Sequence, residues 1–260
     1  MKQPTLYLPR ESGLHALHPL TKLALAGLLM VAAATLPDIG LVLAVYVLGL
    51  IPLAVWGGVL GPFLRSSALL IWPFALSLFL IQGFFAPGEH ILFHLGSLAF
   101  KLEGAQLAAS FTARILVWLG SAALLMMVVR PDALMLALVE RGLPRQIAYI
   151  ILTSMQIIPR FQARALVILD AQRSRGLETE GRLMHRLRML VPLAVPLILS
   201  SLLELDERAM ALEARAFSKP GPRTSLMSLP DTAFQAAARW VMLAMMLLLI
   251  ILTLAGVFPS

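Results

Sequence analysis

Residues 237–257 read AARWVMLAMMLLLIILTLAGV, an unbroken apolar run whose single charge, Arg239, stands near its start. A helix that crosses the hydrocarbon core of a bilayer needs about 20 such residues, within a range of about 17–25. Four similar runs lie upstream, at 19–35, 39–56, 66–85 and 104–129. Breakers or charges bound them: Pro37-Asp38, Gly57-Gly58 followed by Gly61-Pro62 and Arg65, Pro87-Gly88, and Arg130-Pro131. The glycines at 57, 58 and 61 either allow close helix approach or end the second run. The expected fold is all-α: a polytopic membrane protein with about five transmembrane helices.

Composition agrees. Hydrophobic residues make up 59% of the chain and charged residues 13%, against about 45–50% and about 25% in ordinary soluble domains. The net charge of +7 would suggest nucleic acid in a soluble protein. Here the basic residues are concentrated in a few segments, as the positive-inside rule requires, and no aromatic-basic interleaving points to nucleic acid. The chain has no cysteine, which excludes disulfides, thiolate metal sites and cysteine nucleophiles. Lys22 and the apolar run ending Ala32-Ala33-Ala34 imitate a signal peptide. A long arm precedes them and further apolar runs follow at once, so the stretch reads as a first span.

Charge then orients the chain. Lys2, Arg10 and Lys22 flank the first run, Arg65 lies between the second and third, and fifteen basic residues fall between Arg130 and Arg239. The remaining loops are nearly free of them. The rule therefore places the N-terminus and the large basic segment in the cytoplasm, in a plasma-membrane protein. Three regions follow: an arm and four spans over residues 1–130, a cytoplasmic coupling region over 131–236, and a last span over 237–260. Within the coupling region Pro131 and Gly142 bracket an amphipathic helix. The runs at 147–158 and 189–203 fall short of a bilayer, and Pro192 and Pro196 argue against a straight helix through the second. They read as a helical hairpin, with further spans or a re-entrant pair as alternatives. Residues 160–175 and 204–217 read as separate helices.

Catalytic signatures are missing. There is no phosphate-binding Gly-rich loop, no nucleophile elbow, and no Asp or Glu deep in any span. His90 and His94 stand four apart beside Glu89, a spacing that on a helix would suit a metal, but Pro87-Gly88 and Gly96 make them interfacial loop histidines. His15 and His18 read the same way, so no metal or cofactor is expected. Arg114 is the one charge well inside a span. A central arginine costs roughly 2.5–3.5 kcal/mol or more unless it snorkels, and packing or a partner contact would each account for it.

Two short sequences echo each other at a forty-residue offset: Ala171-Gln172-Arg173-Ser174-Arg175-Gly176-Leu177 and Ala211-Leu212-Glu213-Ala214-Arg215-Ala216-Phe217. Each sets an arginine between small residues late in a helical run. Small neighbours let a partner surface come close, and the guanidinium fork matches a carboxylate bidentately. Two copies suit two like pockets on a pair of similar domains. The same arginines would also serve as solvated cations near lipid headgroups.

These motifs resemble the paired Ala-Arg-Gly signature of the T component of energy-coupling-factor transporters, a class of ABC-type importers. His18-Pro19-Leu20-Thr21-Lys22 is similar to that family's Asp-Pro-Arg-Thr-Lys pattern, and the stretches Ala137 to Pro144 and Ile157-Ile158-Pro159 are similar to its segments before and within the coupling region. The resemblance implies a subunit that links two ABC ATPase subunits to one membrane-embedded substrate-binding subunit for vitamin or transition-metal uptake, without hydrolysing ATP itself. It implies that Ser174, Arg175 and Gly176, and Ala214, Arg215 and Ala216, bind the ATPases. Ser174 stands where the family usually has alanine, Ala216 where it has glycine and His18 where it has aspartate. Alanine disfavours positive φ, so a left-handed helix end is expected at Gly176 and not at Ala216. The rival readings are a membrane-embedded enzyme, which would need a polar cluster within the spans, and a scaffold or receptor that binds lipid through its basic segment.

Overall fold

The computed structural model describes residues 7–10, 12–95, 98–176, 183–217, 219, 221 and 229–256. Its elements are α1 (Gly13–Ala16), α2 (Pro19–Thr35), α3 (Ile39–Ala44), a π-helical turn (Val45–Leu50), α4 (Ile51–Trp56), α5 (Leu60–Phe85), strands β1 (Ile91–Leu95) and β2 (Leu98–Lys101), α6 (Leu102–Val128), α7 (Pro131–Glu140), α8 (Arg145–Ser174), α9 (Leu183–Ala214) and α10 (Ala233–Leu254). Two compact units divide them. A membrane unit holds residues 5–143 and 229–260, and a coupling unit holds residues 144–228.

Among the described residues four helical stretches are long and apolar enough to cross a bilayer: Ile39–Trp56, Leu60–Phe85, Leu102–Val128 and Ala233–Leu254. Pro19–Thr35 is apolar but shorter. These are the five runs of the sequence. Proline sets several boundaries, because it fits a first helical turn and disfavours helix in the residue before it. Pro19 opens α2, Pro131 opens α7, and α2 ends just ahead of Pro37. The π turn has a local cause as well. Pro52 has no N–H to give, and the Ile51 N–H reaches back five residues to the Tyr46 carbonyl.

Inside the membrane unit α6 packs on α5 and α2, and α2 also packs on α10. Leu50, Phe63, Val42 and Val117 are fully buried, and Tyr46 stacks on Phe63 with ring centroids 5.9 Å apart. Close approach depends on small residues, as usual where lipid offers no hydrophobic drive between helices. A Cβ at Gly104 would run into the Gln82 carbonyl of α5, so only glycine fits there. The outward faces are apolar: Trp72, Phe85 and Trp240 are each about 70% exposed. Water-soluble proteins rarely show so continuous a patch, whereas lipid is its natural solvent.

Arg114 is held within this bundle. Its guanidinium donates to the Leu36 carbonyl at 3.2 Å, at the C-terminal end of α2 where the helix dipole is negative. Trp118 Nε1 donates to the Met30 carbonyl nearby at 2.9 Å. The packing account of Arg114 is the one with partners.

Between α5 and α6 the chain forms an antiparallel β hairpin in place of a loop. Phe93 stacks on Phe100 at 4.8 Å, and Phe84 meets Phe100 edge-on at 5.2 Å. His94 lies on β1 opposite Ala99, while the His90 ring nitrogen bonds Glu103 Oε1 at 2.7 Å. The two histidines therefore share no helical face.

The coupling unit corrects the sequence reading. Residues 147–158 and 160–175 belong to one helix, α8, which runs through Pro159. The apolar run at 189–203 and the helix expected from 204 likewise merge in α9, through Pro192 and Pro196. An interior proline costs about 3 kcal/mol, and tertiary packing overrides it here. The helices pair antiparallel. Tyr149 meets Phe217 with ring centroids 5.2 Å apart, and Arg145 donates to the Gly221 carbonyl at 3.3 Å. Arg164 donates to the Ser200 carbonyl at 3.2 Å and pairs with Glu204 at 2.7 Å. A helical hairpin forms, but the two apolar runs do not pair with each other as expected: Tyr149 of the first meets Phe217, and Ser200 of the second meets Arg164.

Candidate functional site

The two arginine motifs end α8 and α9 in the same way. Ser174 is the last residue of α8, Arg175 is its C-cap, and Gly176 turns left-handed at φ +88. The Gly176 N–H donates to the Arg173 carbonyl at 2.9 Å. In α9 the last helical residue is Ala214, Arg215 follows in the capping position, and Ala216 turns left-handed at φ +55. The Ala216 N–H donates to Glu213 O at 2.8 Å and the Phe217 N–H to Leu212 O at 2.9 Å. This pair of bonds is the Schellman arrangement, which satisfies the last carbonyls of a helix.

The expectation for Ala216 is thereby overturned. Alanine takes the left-handed conformation at a cost of about 1–2 kcal/mol, and it is the one non-glycine residue with positive φ among those described. The Phe217 ring, seated on Tyr149 of α8, anchors the residue after the cap and offsets the strain.

Arg175 and Arg215 are both exposed. Among the described residues neither guanidinium has an ion pair or hydrogen bond, whereas Arg160, Arg164 and Arg208 converge on Glu204 at 3.7, 2.7 and 2.8 Å. Arg215 also borders a cleft of about 460 Å³ between α8 and α9, lined on its polar side by Tyr149, Thr153, Gln156, Arg160 and Arg208. Of the three guanidinium groups that line it, those of Arg160 and Arg208 are paired with Glu204, which leaves Arg215 as the one without an ion pair among the described residues. Ser174 keeps its hydroxyl on the Asp170 carbonyl at 3.1 Å, and the small side chains of Ala214 and Ala216 are exposed beside Arg215.

A second polar assembly lies in the membrane unit. Arg239 is 7% exposed. It grips Asp231 bidentately at 3.0 and 2.6 Å and donates to Thr21 Oγ1 at 3.2 Å. The His18 N–H donates to Gln235 Oε1 at 2.8 Å, and His18 Nδ1 accepts from the Leu20 N–H, capping α2. Lys22 Nζ donates to the carbonyls of His15 at 2.9 Å and Val128 at 3.3 Å. His15 in turn bonds Ser12 Oγ at 2.7 Å and the Leu8 carbonyl at 3.1 Å. Burial lowers the pKa of His15 and of His18. The Arg239 hydrogen bonds hold the Asp231 carboxyl below its usual range. These residues join the starts of α2 and α10 to the end of α6.

The sequence profile of CbiQ, the cobalt transport protein family, matches residues 10–226. This chain belongs to that family. Among CbiQ-related proteins, the energy-coupling factor transporter transmembrane protein EcfT of Heliobacterium modesticaldum is 33% identical over 86% of both chains. Its counterpart in Acidaminococcus fermentans is 30% identical over 94% of this chain and 93% of its own, and that of Thermosediminibacter oceani is 27% identical over 89% and 90%. In CbiQ terms the chain is the non-catalytic transmembrane component of an energy-coupling-factor transporter. The matched residues contain both arginine motifs and stop short of Asp231, Gln235 and Arg239. Sequence reading passed over that cluster, because Thr21 and Arg239 are 218 residues apart. The available signal was a lone Asp231 ahead of an arginine placed inside an apolar helix.

Proposed function

We propose that this CbiQ-family chain couples ATP hydrolysis to import by seating Arg175 on one ABC ATPase subunit and Arg215 on another, while its membrane unit holds one membrane-embedded substrate-binding subunit. The cargo class is a vitamin or a transition-metal ion. Closure of the ATPase pair moves the ends of α8 and α9, and that motion tilts the substrate-binding subunit in the bilayer. The observation that carries this reading is the common geometry of the two ends: arginine at the C-cap, a left-handed residue next, small neighbours, and no internal partner for the guanidinium among the described residues. A charge-assisted bond from such an arginine contributes about 1.5–3 kcal/mol when shielded, enough to anchor a docking helix end.

Ser174, Gly176, Ala214 and Ala216 serve here by leaving room for the partner surface. The N-terminus and coupling unit face the cytoplasm, where ATP is, and the whole sits in the cell membrane. The test reverses each arginine, Arg175→Glu and Arg215→Glu, and measures co-purification of the ATPases and substrate uptake. Loss of both supports the reading, and retention of both in the double variant refutes it. The exposed guanidinium groups of Arg175 and Arg215 also suit a second reading, a basic scaffold for anionic lipid. That reading predicts salt-sensitive vesicle binding with no ATPase partner.

A further inference from the structure

The chain passes into the coupling unit after Leu143 and out of it before Leu229. A carboxylate and a guanidinium flank those two points within the membrane unit, and they meet. Arg141 is the C-cap of α7. Gly142 turns left-handed at φ +106, and the Gly142 and Leu143 N–H groups donate to Val139 O and Leu138 O, each at 3.0 Å. This end has the same cap geometry as the ends bearing Arg175 and Arg215. Its arginine differs in being engaged: Arg141 Nη2 reaches Asp231 Oδ2 at 3.4 Å.

Asp231 precedes the N-cap of α10, and the same oxygen accepts from buried Arg239 at 2.6 Å. Arg239 then bonds Thr21 of α2. One carboxylate therefore joins the chain leaving α7 to the chain entering α10, and ties both to the bundle. The two grips differ in kind. Arg239–Asp231 is short, bidentate and buried on the arginine side, as a structural anchor must be. Arg141–Asp231 is single, longer and half exposed, and such pairs add little to folding stability.

We propose that the Arg141–Asp231 pair latches the two strands of the stem together, and that Arg141 is a positioning residue for energy coupling. With the latch closed, displacement of α8 and α9 is delivered to α2 and α10 through Asp231 and Arg239. With it open, the two strands move apart and part of the stroke is lost. The coupling role rests on the ATPase reading given above; the latch itself does not.

The test uses the full chain with its ATPases and substrate-binding subunit in proteoliposomes. Arg141→Gln leaves the thermal midpoint, ATPase co-purification and ATP hydrolysis unchanged. It lowers uptake per ATP hydrolysed about two- to five-fold, the ratio that an exposed pair of up to about 1 kcal/mol allows. Arg141→Lys restores most of the loss. An unchanged uptake ratio in Arg141→Gln overturns the proposal. So does an Arg141→Lys value as low as Arg141→Gln, or a midpoint that falls in step with uptake.

The chain has no cysteine of its own, so Leu143→Cys with Pro230→Cys allows a second measurement that needs no ATPase. A short bis-maleimide joins this pair about two- to five-fold more slowly in the Arg141→Gln background. Equal rates overturn the latch. If the unaltered chain fails to retain the ATPases, the docking reading fails and this rate still decides the latch.

Discussion

Ala216 accepts strain at a position where glycine would have none. Its φ of +55 is maintained by the two Schellman bonds and by Phe217 on Tyr149, and the arginine before it holds the same capping position as Arg175. Ala216→Gly should stabilise the end of α9 by about 1 kcal/mol, seen as slower amide exchange at residues 212–217, with uptake retained. Loss of uptake would show that the Ala216 methyl itself matters. His15 and His18 offer a second check. Their folded pKa values lie below the ordinary 6.5, so below that pH the unfolded chain binds more protons than the folded one. Stability is complete above about 6.5 and falls as pH drops through the window below it. The thermal midpoint in detergent should therefore fall between pH 7.5 and pH 5.5, and His15→Gln with His18→Gln should flatten that dependence. The arginine motifs were legible from sequence because they are local. The fate of Ala216 was not, because the aromatic contact that supports it joins residues 149 and 217.

At the level of elements, the apolar runs located the candidate membrane helices among the described residues, with the largest error at α5, which begins six residues ahead of Ser66; bilayer thickness constrains length more tightly than any propensity does. The same reasoning divided α8 at Pro159 and α9 at Glu204, where the apolar run ends. Local penalties gave way to the antiparallel packing of two helices around Glu204, which no single segment reveals. The hairpin at Ile91–Lys101 was missed for a similar reason: three phenylalanines from two strands and α5 build it. The junction of α2 and α10 left only the faint signal of Asp231 ahead of Arg239, and it yields a quantitative prediction. Asp231→Ala strands a buried guanidinium, a class of change that costs roughly 3–5 kcal/mol. Arg239→Met leaves Asp231, which is 28% exposed, able to regain water, and should cost clearly less. Thermal midpoints of the two variants decide this. An equal or reversed order would show that Arg239 is not held in the way described.

At the scale of the whole molecule, the chain comprises an apolar bundle and a basic helical hairpin, and the side of the membrane to which each connection belongs is open to direct test. Because the chain lacks cysteine, single cysteines report sidedness cleanly. In intact cells Glu89→Cys, between α5 and β1, should react with a membrane-impermeant maleimide, and Lys219→Cys should react only after lysis. The reverse pattern would invert the orientation drawn from the basic loops. The central claim is that Arg175 and Arg215 are the two points at which the ATPases take hold. Its most direct test is to purify the chain from its native membrane carrying Arg175→Glu, Arg215→Glu or both, and to quantify the ATPase retained against the unaltered chain. The account predicts about half the ATPase with either single change and almost none with both, since each lost bond is of the order of 1.5–3 kcal/mol. Full retention by the double variant would contradict it.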